Sequence, residues 1–312
     1  MTTALAARIA EGVLAFPATA FTSEGALDED RCASHVTELA RHAPAALVAA
    51  GGAGEIFSLS LDEHRRVVAA TVAAAGTIPV IAGAGQGLAN ARAMAEAAER
   101  AGAAGVLLFP PYLIQPEQAG LAAYVAAVCA AVAIPVVVYS RDNGVLDPET
   151  ALRLADSCPN LVALKDGTGD FEALATLKAL AGDRLTLING VPTAEVLARQ
   201  YFAAGVTSYT SAVFSFAPPV ARCFHRALAG GDAATVDRLL ADFYLPLAAL
   251  RRRRRGYAVA IVKAGLRVAG NPAGPVRPPL VELTEAETRE LARLIERAEA
   301  IVHATPVAAA AG

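Results

Sequence analysis

The chain has 312 residues, 55% of them apolar and 18% charged, so it is long enough to bury one large core or two ordinary ones. Its formal net charge of −3 provides no overall basic field, which argues against nucleic acid or an anionic membrane as a partner. Four cysteines stand far apart with no C-x-x-C pair, which is typical of a reduced, cytoplasmic protein: Cys32, Cys129, Cys158 and Cys223.

Two long uncharged stretches, 67–91 and 118–140, raise the question of membrane spans. Pro79 and Pro135 interrupt them, so each stretch is predicted to be a buried helix, a turn and a buried strand instead. Near the start of the chain, Arg8 interrupts what would be the apolar region of a signal peptide. No targeting segment and no membrane span are therefore expected.

Eight short apolar runs recur along the chain at intervals of about 20 to 35 residues. Their apolarity is continuous rather than alternating, which is typical of parallel strands that are covered on both faces. The runs are GVLAF (12–16), ALVAAG (46–51), PVIAGAG (79–85), GVLLFP (105–110), PVVVYS (135–140), LVALKD (161–166), LTLING (185–190) and VTSYTS (206–211).

Helical stretches rich in Ala, Leu, Glu and Arg separate these runs, as at 61–75 and 88–103. Eight strand-then-helix units predict a (β/α)₈ TIM barrel over residues 1–230. The alternative, an open doubly wound sheet, lacks the G-x-G-x-x-G that would follow its first strand. Further helices are predicted near 218–229, 232–250, 255–270 and 284–303, so 231–312 is expected to form an appended C-terminal helical region packed on the barrel, with a frayed tail at 306–312.

Catalytic residues of such barrels lie at the carboxyl ends of the strands. There the sequence LVALKDGTGD (161–170) places a single lysine, Lys165, at the end of an apolar run. A lysine in that position is either a salt-bridged cation or a nucleophilic amine. The strand ends carry no histidine and no cluster of carboxylates, so a metal site built from His, Asp and Glu is not favoured.

The other strand-end residues suit imine chemistry on a keto acid, in which a desolvated Lys165 attacks the carbonyl. Tyr139 can shuttle protons, and the backbone N–H groups of the GGAGE loop (51–55) can hold a substrate carboxylate. Asp166, the next residue on the strand, is expected to point away from Lys165. The candidate binding residues are Gly51, Gly52, Ala53, Gly54, Arg141, Asn189, Gly190, Ser208 and Ser211.

Each feature also has a purely structural interpretation. Tyr139 alone would usually be a packed ring, the glycines could serve turns, and hydroxyls at strand ends often bond to backbone. The run RRRRR (251–255) rotates through more than one helical turn and cannot share one face, so we interpret it as solvent-facing or as a subunit contact. Only the combination of Lys165, Tyr139 and the GGAGE loop favours catalysis.

These motifs resemble the dihydrodipicolinate synthase/N-acetylneuraminate lyase superfamily, and the resemblance covers nearly the whole chain. Its general marks are FPATAF (16–21), the GGAGE loop, Tyr139 and Lys165 within LKDGTGD. Further stretches resemble one branch of it, the 5-dehydro-4-deoxyglucarate dehydratases: FSLSLDE (57–63), FPPYL (109–113), VVYSRDNGVL (137–146), CPNLVALKDGTGD (158–170), VPTAEV (191–196), TSYTSAVFSF (207–216), GYAVAIVKAG (256–265) and AGPVRPPL (273–280).

The resemblance implies a decarboxylating lyase in which Lys165 forms a Schiff base with a keto sugar acid and Tyr139 assists proton transfer. It also implies that no metal or organic cofactor is needed and that the protein is a homo-oligomer, a dimer or a tetramer. Two other functions remain open: a retro-aldolase or condensing synthase acting on another 2-keto acid, and a non-catalytic barrel that binds sugar acids.

Three positions depart from the superfamily pattern. Ala53 stands where a threonine or serine is usual and offers only its backbone N–H. Leu113 replaces a second relay tyrosine, and Gly144 replaces the arginine that the synthases carry five residues after the strand tyrosine. Arg141 is the nearest cation, so we predict that it binds the distal carboxylate of the substrate.

Overall fold

The computed structural model describes residues 4–305, and its centre is a closed barrel of eight parallel strands. Each strand pairs with the next along the chain, and the last pairs with the first. The predicted (β/α)₈ barrel is therefore confirmed. The strands are β1 Gly12–Ala15, β2 Ala46–Ala49, β3 Val80–Gln86, β4 Gly105–Pro111, β5 Val136–Ser140, β6 Leu161–Asp166, β7 Thr186–Asn189 and β8 Ser208–Ser211.

The helices follow the strands, and capping residues fix several of their starts. Ser60 and Glu63 form a reciprocal capping box at one helix, and Asp147 caps another whose first residue is Pro148. The helices are α1 Ala4–Ile9, α2 Glu29–Arg41, α3 Leu61–Ala74, α4 Leu88–Arg100, α5 Gln118–Cys129, α6 Pro148–Ser157, α7 Phe171–Ala181, α8 Ala198–Ala203, α9 Pro218–Ala229, α10 Ala233–Leu239, α11 Leu245–Arg252, α12 Tyr257–Val268 and α13 Glu285–Ala304.

The core has two layers, one inside the barrel and one between the strands and the helices. The inner layer contains alternate residues of the strands, such as Val137 and Tyr139 on β5 and Ala163 on β6. Leu5 and Ile9 of α1 belong to the same inner layer. Because this layer fills the barrel, the space that remains for a ligand lies above it, at the carboxyl ends of the strands.

The C-terminal helices pack on the outside of the barrel and against each other. A π-helical turn, Leu240–Tyr244, joins α10 to α11, and α13 packs against both α9 and α12. The predicted boundary at 230/231 falls between α9 and α10, and the division into two domains stays a prediction. The predicted tail, 306–312, lies outside the described residues. Within 4–305, no helix is long and apolar enough to cross a membrane.

Candidate active site

A cavity of about 380 Å³ opens at the carboxyl ends of the strands. Six of the predicted site residues line it: Gly52, Ala53, Tyr139, Arg141, Lys165 and Gly190. Residues of α11 and α12, among them Leu247, Arg251 and Val259, form another part of the wall. The C-terminal helical region therefore completes the cavity as well as packing on the barrel.

Lys165 lies at the bottom of the cavity with its side chain buried. Its Nζ is 3.7 Å from the centroid of the Tyr139 ring and 4.7 Å from that of Phe16, and no carboxylate of residues 4–305 forms an ion pair with it. Burial, reinforced by the positive charge of Arg141, holds the pKa of the Lys165 amine well below its usual range. The structure thus favours a neutral amine over a salt-bridged cation.

Asp166 faces away from Lys165, as predicted. Its carboxylate accepts hydrogen bonds from the backbone N–H and the hydroxyl of Thr168, at 2.8 and 2.6 Å, and from the Tyr201 hydroxyl. It therefore organises the loop after β6 and leaves the lysine without a counter-ion.

Gly190 makes room for Lys165. A Cβ at position 190 would lie 2.5 Å from both Cγ and Cε of Lys165 and 3.0 Å from the Asp166 carbonyl oxygen. Carbon atoms normally pack at about 3.5 to 4.0 Å, so no larger residue fits beside this lysine conformation. The Gly190 N–H donates to the same Asp166 oxygen at 2.7 Å, which fixes the backbone at this distance.

Tyr139 lies beside Lys165 because their Cα positions are paired across β5 and β6. Its hydroxyl donates to the Gly190 carbonyl oxygen at 2.7 Å and accepts from Arg141 Nη1 at 3.2 Å. Burial raises the pKa of Tyr139, and the charge of Arg141 opposes that rise. The phenol is therefore protonated at neutral pH, next to a cation that can stabilise its anion.

Gly52 and Ala53 of the GGAGE loop line the cavity, and Gly54 follows them. Among residues 4–305, the backbone N–H groups of Gly52, Ala53 and Gly54 have no hydrogen-bond acceptor. Gly51 is buried beneath them against the Phe16 ring, which a Cβ at position 51 would approach to 2.7 Å. Successive unsatisfied N–H groups are the usual means of binding a carboxylate without a charged side chain.

Buried ionic contacts hold this loop in place. Glu55, in a left-handed conformation with φ 55°, forms a fully buried ion pair with Lys263 of α12, with Oε1 and Nζ 2.7 Å apart. The backbone N–H of Arg277 donates to the other Glu55 oxygen at 3.1 Å, and the Thr19 hydroxyl donates to the Gly54 carbonyl oxygen at 2.6 Å. The loop is tied both to the barrel and to the C-terminal region.

Five predicted binding residues do not line the cavity: Gly51, Gly54, Asn189, Ser208 and Ser211. The Asn189 carboxamide donates to the Ala194 carbonyl oxygen at 3.0 Å and accepts from the Val191 N–H at 3.2 Å, so it stabilises the turn after β7. Ser208 and Ser211 are both fully buried outside the cavity wall, and between them Thr210 of β8 reaches it.

A buried carboxyl group, Glu195, lines the cavity and was missed by the sequence analysis. The Ser211 hydroxyl donates to its Oε1 at 2.5 Å. Burial raises the pKa of Glu195 to about 7, although the Ser211 hydrogen bond opposes the rise. The available signal was its place directly after a barrel strand, in VPTAEV (191–196).

Arg251 is the second missed residue. It belongs to the arginine run at 251–255, in which the other four arginines are exposed, whereas Arg251 is half-buried in the cavity wall. The solvent-facing alternative is therefore wrong at this one position, and the subunit-contact alternative stays a prediction. The direction of Arg251 follows from the placement of α11, whose Leu247 lines the same cavity one turn earlier.

In residues 4–305, no three His, Cys, Asp or Glu side chains are grouped as a metal site requires. The four cysteines are buried free thiols. The lining of the cavity can instead form an imine, transfer protons and bind an anion through backbone N–H groups.

The barrel and this lysine-centred cavity define a (β/α)₈ protein with a candidate imine-forming site. The chain belongs to the dihydrodipicolinate synthetase family, whose model matches residues 9–298. The resemblance deduced from the sequence motifs is confirmed at this level.

Relatives and solved structures agree with that placement. The chain is 50% identical over 292 residues to a protein of Rhizobium rhizogenes, covering 94% of this chain and 97% of the relative, and 50% identical over 293 residues to one of Saccharopolyspora erythraea, covering 94% and 95%. Both are named probable 5-dehydro-4-deoxyglucarate dehydratase, as the branch-specific motifs indicated. The dihydrodipicolinate synthase of Bacillus clausii superposes with a TM-score of 0.86 at 26% identity, covering 94% and 98% of the two chains.

Proposed function

We propose that this protein is a decarboxylating dehydratase that converts 5-dehydro-4-deoxy-D-glucarate to 2,5-dioxopentanoate, CO₂ and water through a Schiff base on Lys165. The observation that carries the proposal is a buried lysine without a counter-ion, packed on the Tyr139 ring and beside a row of free backbone N–H groups. The names of the relatives at 50% identity select the substrate within the family.

The first half of the reaction forms an enamine. The neutral Lys165 amine attacks the keto carbon next to the carboxylate that the 52–54 N–H groups hold, and Tyr139 supplies the proton with which the hydroxyl leaves as water. The adjacent methylene then loses a proton, and the electrons flow toward the iminium nitrogen. Each of these steps moves a proton within reach of the Tyr139 hydroxyl, whose anion Arg141 stabilises.

The second half expels the hydroxyl from the next carbon as water and leaves a conjugated iminium. That iminium accepts the electron pair of the bond to the distal carboxylate, so CO₂ departs and a dienamine bearing an enol remains. Protonation and hydrolysis of the imine give 2,5-dioxopentanoate and regenerate Lys165. The water consumed in the hydrolysis cancels the water released when the imine formed. The water that remains is the expelled hydroxyl, so the net products besides the semialdehyde are one CO₂ and one water.

Product analysis and covalent trapping test the proposal together. Incubation with 5-dehydro-4-deoxyglucarate is expected to give CO₂ and the semialdehyde in equal amounts, with or without EDTA. Borohydride reduction with pyruvate is expected to label Lys165 among the three lysines of the chain, because Lys263 is paired with Glu55 and Lys178 is bonded to a surface carbonyl. Free pyruvate from a hydroxylated substrate would favour a retro-aldolase, and labelling at Lys263 would refute the assignment.

The sequence predictions beyond the reaction remain proposals. We propose that the protein acts in the cytoplasm as a homo-oligomer on a small keto sugar acid. The four free buried thiols support a reducing compartment. Gel filtration with light scattering would establish the oligomeric state.

A further inference from the structure

Arg251 is an arginine without a counter-ion. It is half-buried in the wall of the catalytic cavity, and among residues 4–305 it forms no ion pair and no hydrogen bond through its side chain. By contrast, Arg253 two residues further on makes a two-pronged pair with Glu290, at 2.7 and 2.8 Å. A partly desolvated guanidinium with no anion beside it is an unfavourable arrangement unless a ligand supplies the charge.

A second arginine nearby makes the unpaired charge of Arg251 still more unfavourable. Arg141 lines the same cavity, and burial together with its charge lowers the pKa of Arg251. Arg141 Nε pairs at 2.6 Å with Asp142, whose side chain is exposed, and within residues 4–305 no carboxylate pairs with Arg251. This part of the cavity is therefore cationic, and like charges here are tolerated only at a cost that an anion would remove.

Arg141 and Lys165 both contact Tyr139, and Arg141 donates to its hydroxyl. The Arg141 guanidinium carbon is 5.1 Å from the centroid of the Tyr139 ring, and Lys165 Nζ is 3.7 Å from the same centroid. A 2-keto acid whose first carboxylate rests on the 52–54 N–H groups and whose keto carbon joins Lys165 has its far end free. That end can extend past Tyr139 toward the two arginines.

We propose that Arg251 binds, together with Arg141, the distal carboxylate of the substrate and selects six-carbon 2-keto diacids over 2-keto acids with an uncharged end. The inference rests on the proposed function for the identity of the substrate. The inference adds Arg251, a residue of the C-terminal helical region, to the substrate-binding site. Two guanidiniums can bind one carboxylate through several charge-assisted hydrogen bonds, which is the arrangement that arginine favours.

The test compares two probes that both form an imine but differ at the far end. These are 2-oxoadipate, a six-carbon 2-keto diacid, and 2-oxohexanoate, which ends in a methyl group. In the wild-type protein, half-maximal borohydride trapping at Lys165 is expected at a much lower concentration of the diacid. In Arg251→Gln, the 2-oxoadipate concentration that gives half-maximal trapping is expected to rise about 10- to 100-fold. The 2-oxohexanoate concentration that gives half-maximal trapping is expected to stay unchanged.

Two further variants sharpen the result. Arg251→Lys keeps the charge but loses the forked donors, so it is expected to recover part of the preference. Arg252→Gln removes the exposed neighbour and is expected to trap both probes as the wild type does. With the natural substrate, Arg251→Gln is expected to raise KM more than it lowers kcat.

The outcomes separate this inference from the proposed function. If the wild type makes no semialdehyde but discriminates between the two probes through Arg251, the proposed reaction fails and the binding assignment stands. If Arg251→Gln traps both probes like the wild type, or loses both in parallel, the assignment is overturned. A change confined to oligomeric state, with both trapping curves unaltered, would also overturn it by making Arg251 a subunit contact.

Discussion

The contact between Gly190 and Lys165 gives a quantitative prediction for Gly190→Ala. No positive φ holds this glycine, so alanine is allowed by the backbone and only its Cβ matters. That Cβ would lie 2.5 Å from Lys165 Cγ and Cε, about 1 Å inside normal carbon contact. Because Cγ is near the backbone, the lysine cannot swing only its tip, and the whole side chain must move.

A displacement of about 1 Å at the nucleophile can cost on the order of 10² in rate. We therefore expect kcat of Gly190→Ala to fall by about two orders of magnitude, with borohydride trapping by pyruvate slowed in parallel. Overpacking is also expected to cost about 1 to 3 kcal/mol of stability, so rates are measured well below the unfolding temperature. The control is Gly120→Ala on the exposed side of α5, where the nearest atom would be 3.8 Å away. Wild-type trapping and turnover in Gly190→Ala would refute the argument.

Three other variants test neighbouring groups. Tyr139→Phe keeps the ring on Lys165 but removes the hydroxyl, so steady-state kinetics should show kcat lower by roughly 10² to 10⁴ with KM little changed, and an unchanged kcat would exclude the proton shuttle. Glu195 has its pKa raised to about 7, so the folded state favours the protonated form. Stability of the wild type relative to Glu195→Gln should then fall by about 3 kcal/mol as pH rises from about 4.5 through 7, and parallel denaturation curves would contradict this. Ala53→Thr should leave kcat nearly unchanged, whereas a large gain would mark the natural residue as an impairment.

The barrel could be predicted from the sequence because the apolar runs of its strands are continuous and the helices between them are amphipathic. The structure places β6 over 161–166, as predicted, and Lys165 faces the cavity with Asp166 turned away. Successive side chains of a strand point to opposite faces, and this rule was sufficient to predict the directions of Lys165 and Asp166.

On β8 the same rule did not predict which side chain faces the cavity. VTSYTS carries hydroxyls at successive positions, so the polarity of the two faces is similar and the inward residue cannot be recognised. The sequence analysis selected Ser208 and Ser211, whereas Thr210 lines the cavity and Ser211 donates to Glu195. The orientation is set by pairing with the flanking strands, which sequence patterns do not reveal.

Arg251 was missed for a different reason. Only Arg251 and Arg252 of the run belong to α11, and residues on a helix point about 100° apart, so which arginine faces the cavity depends on where α11 ends and how it is placed. Glu195 was hidden in a loop whose fold depends on Asn189 holding the turn after β7. Both residues belong to segments placed by tertiary packing, where local sequence preference carries little information.

The substitution of alanine at position 53 is understandable from the way the GGAGE loop is held. The buried Glu55–Lys263 pair and the Thr19 hydrogen bond to the Gly54 carbonyl oxygen fix the loop at its end and from beneath. Donors that are already oriented need no rearrangement when a carboxylate binds, so the backbone N–H groups of 52–54 can provide the binding energy by themselves. A hydroxyl at position 53 would add one more donor to a site that is already oriented. By the same reasoning we predict that Lys263, which does not line the cavity, positions the loop for substrate binding through its pair with Glu55.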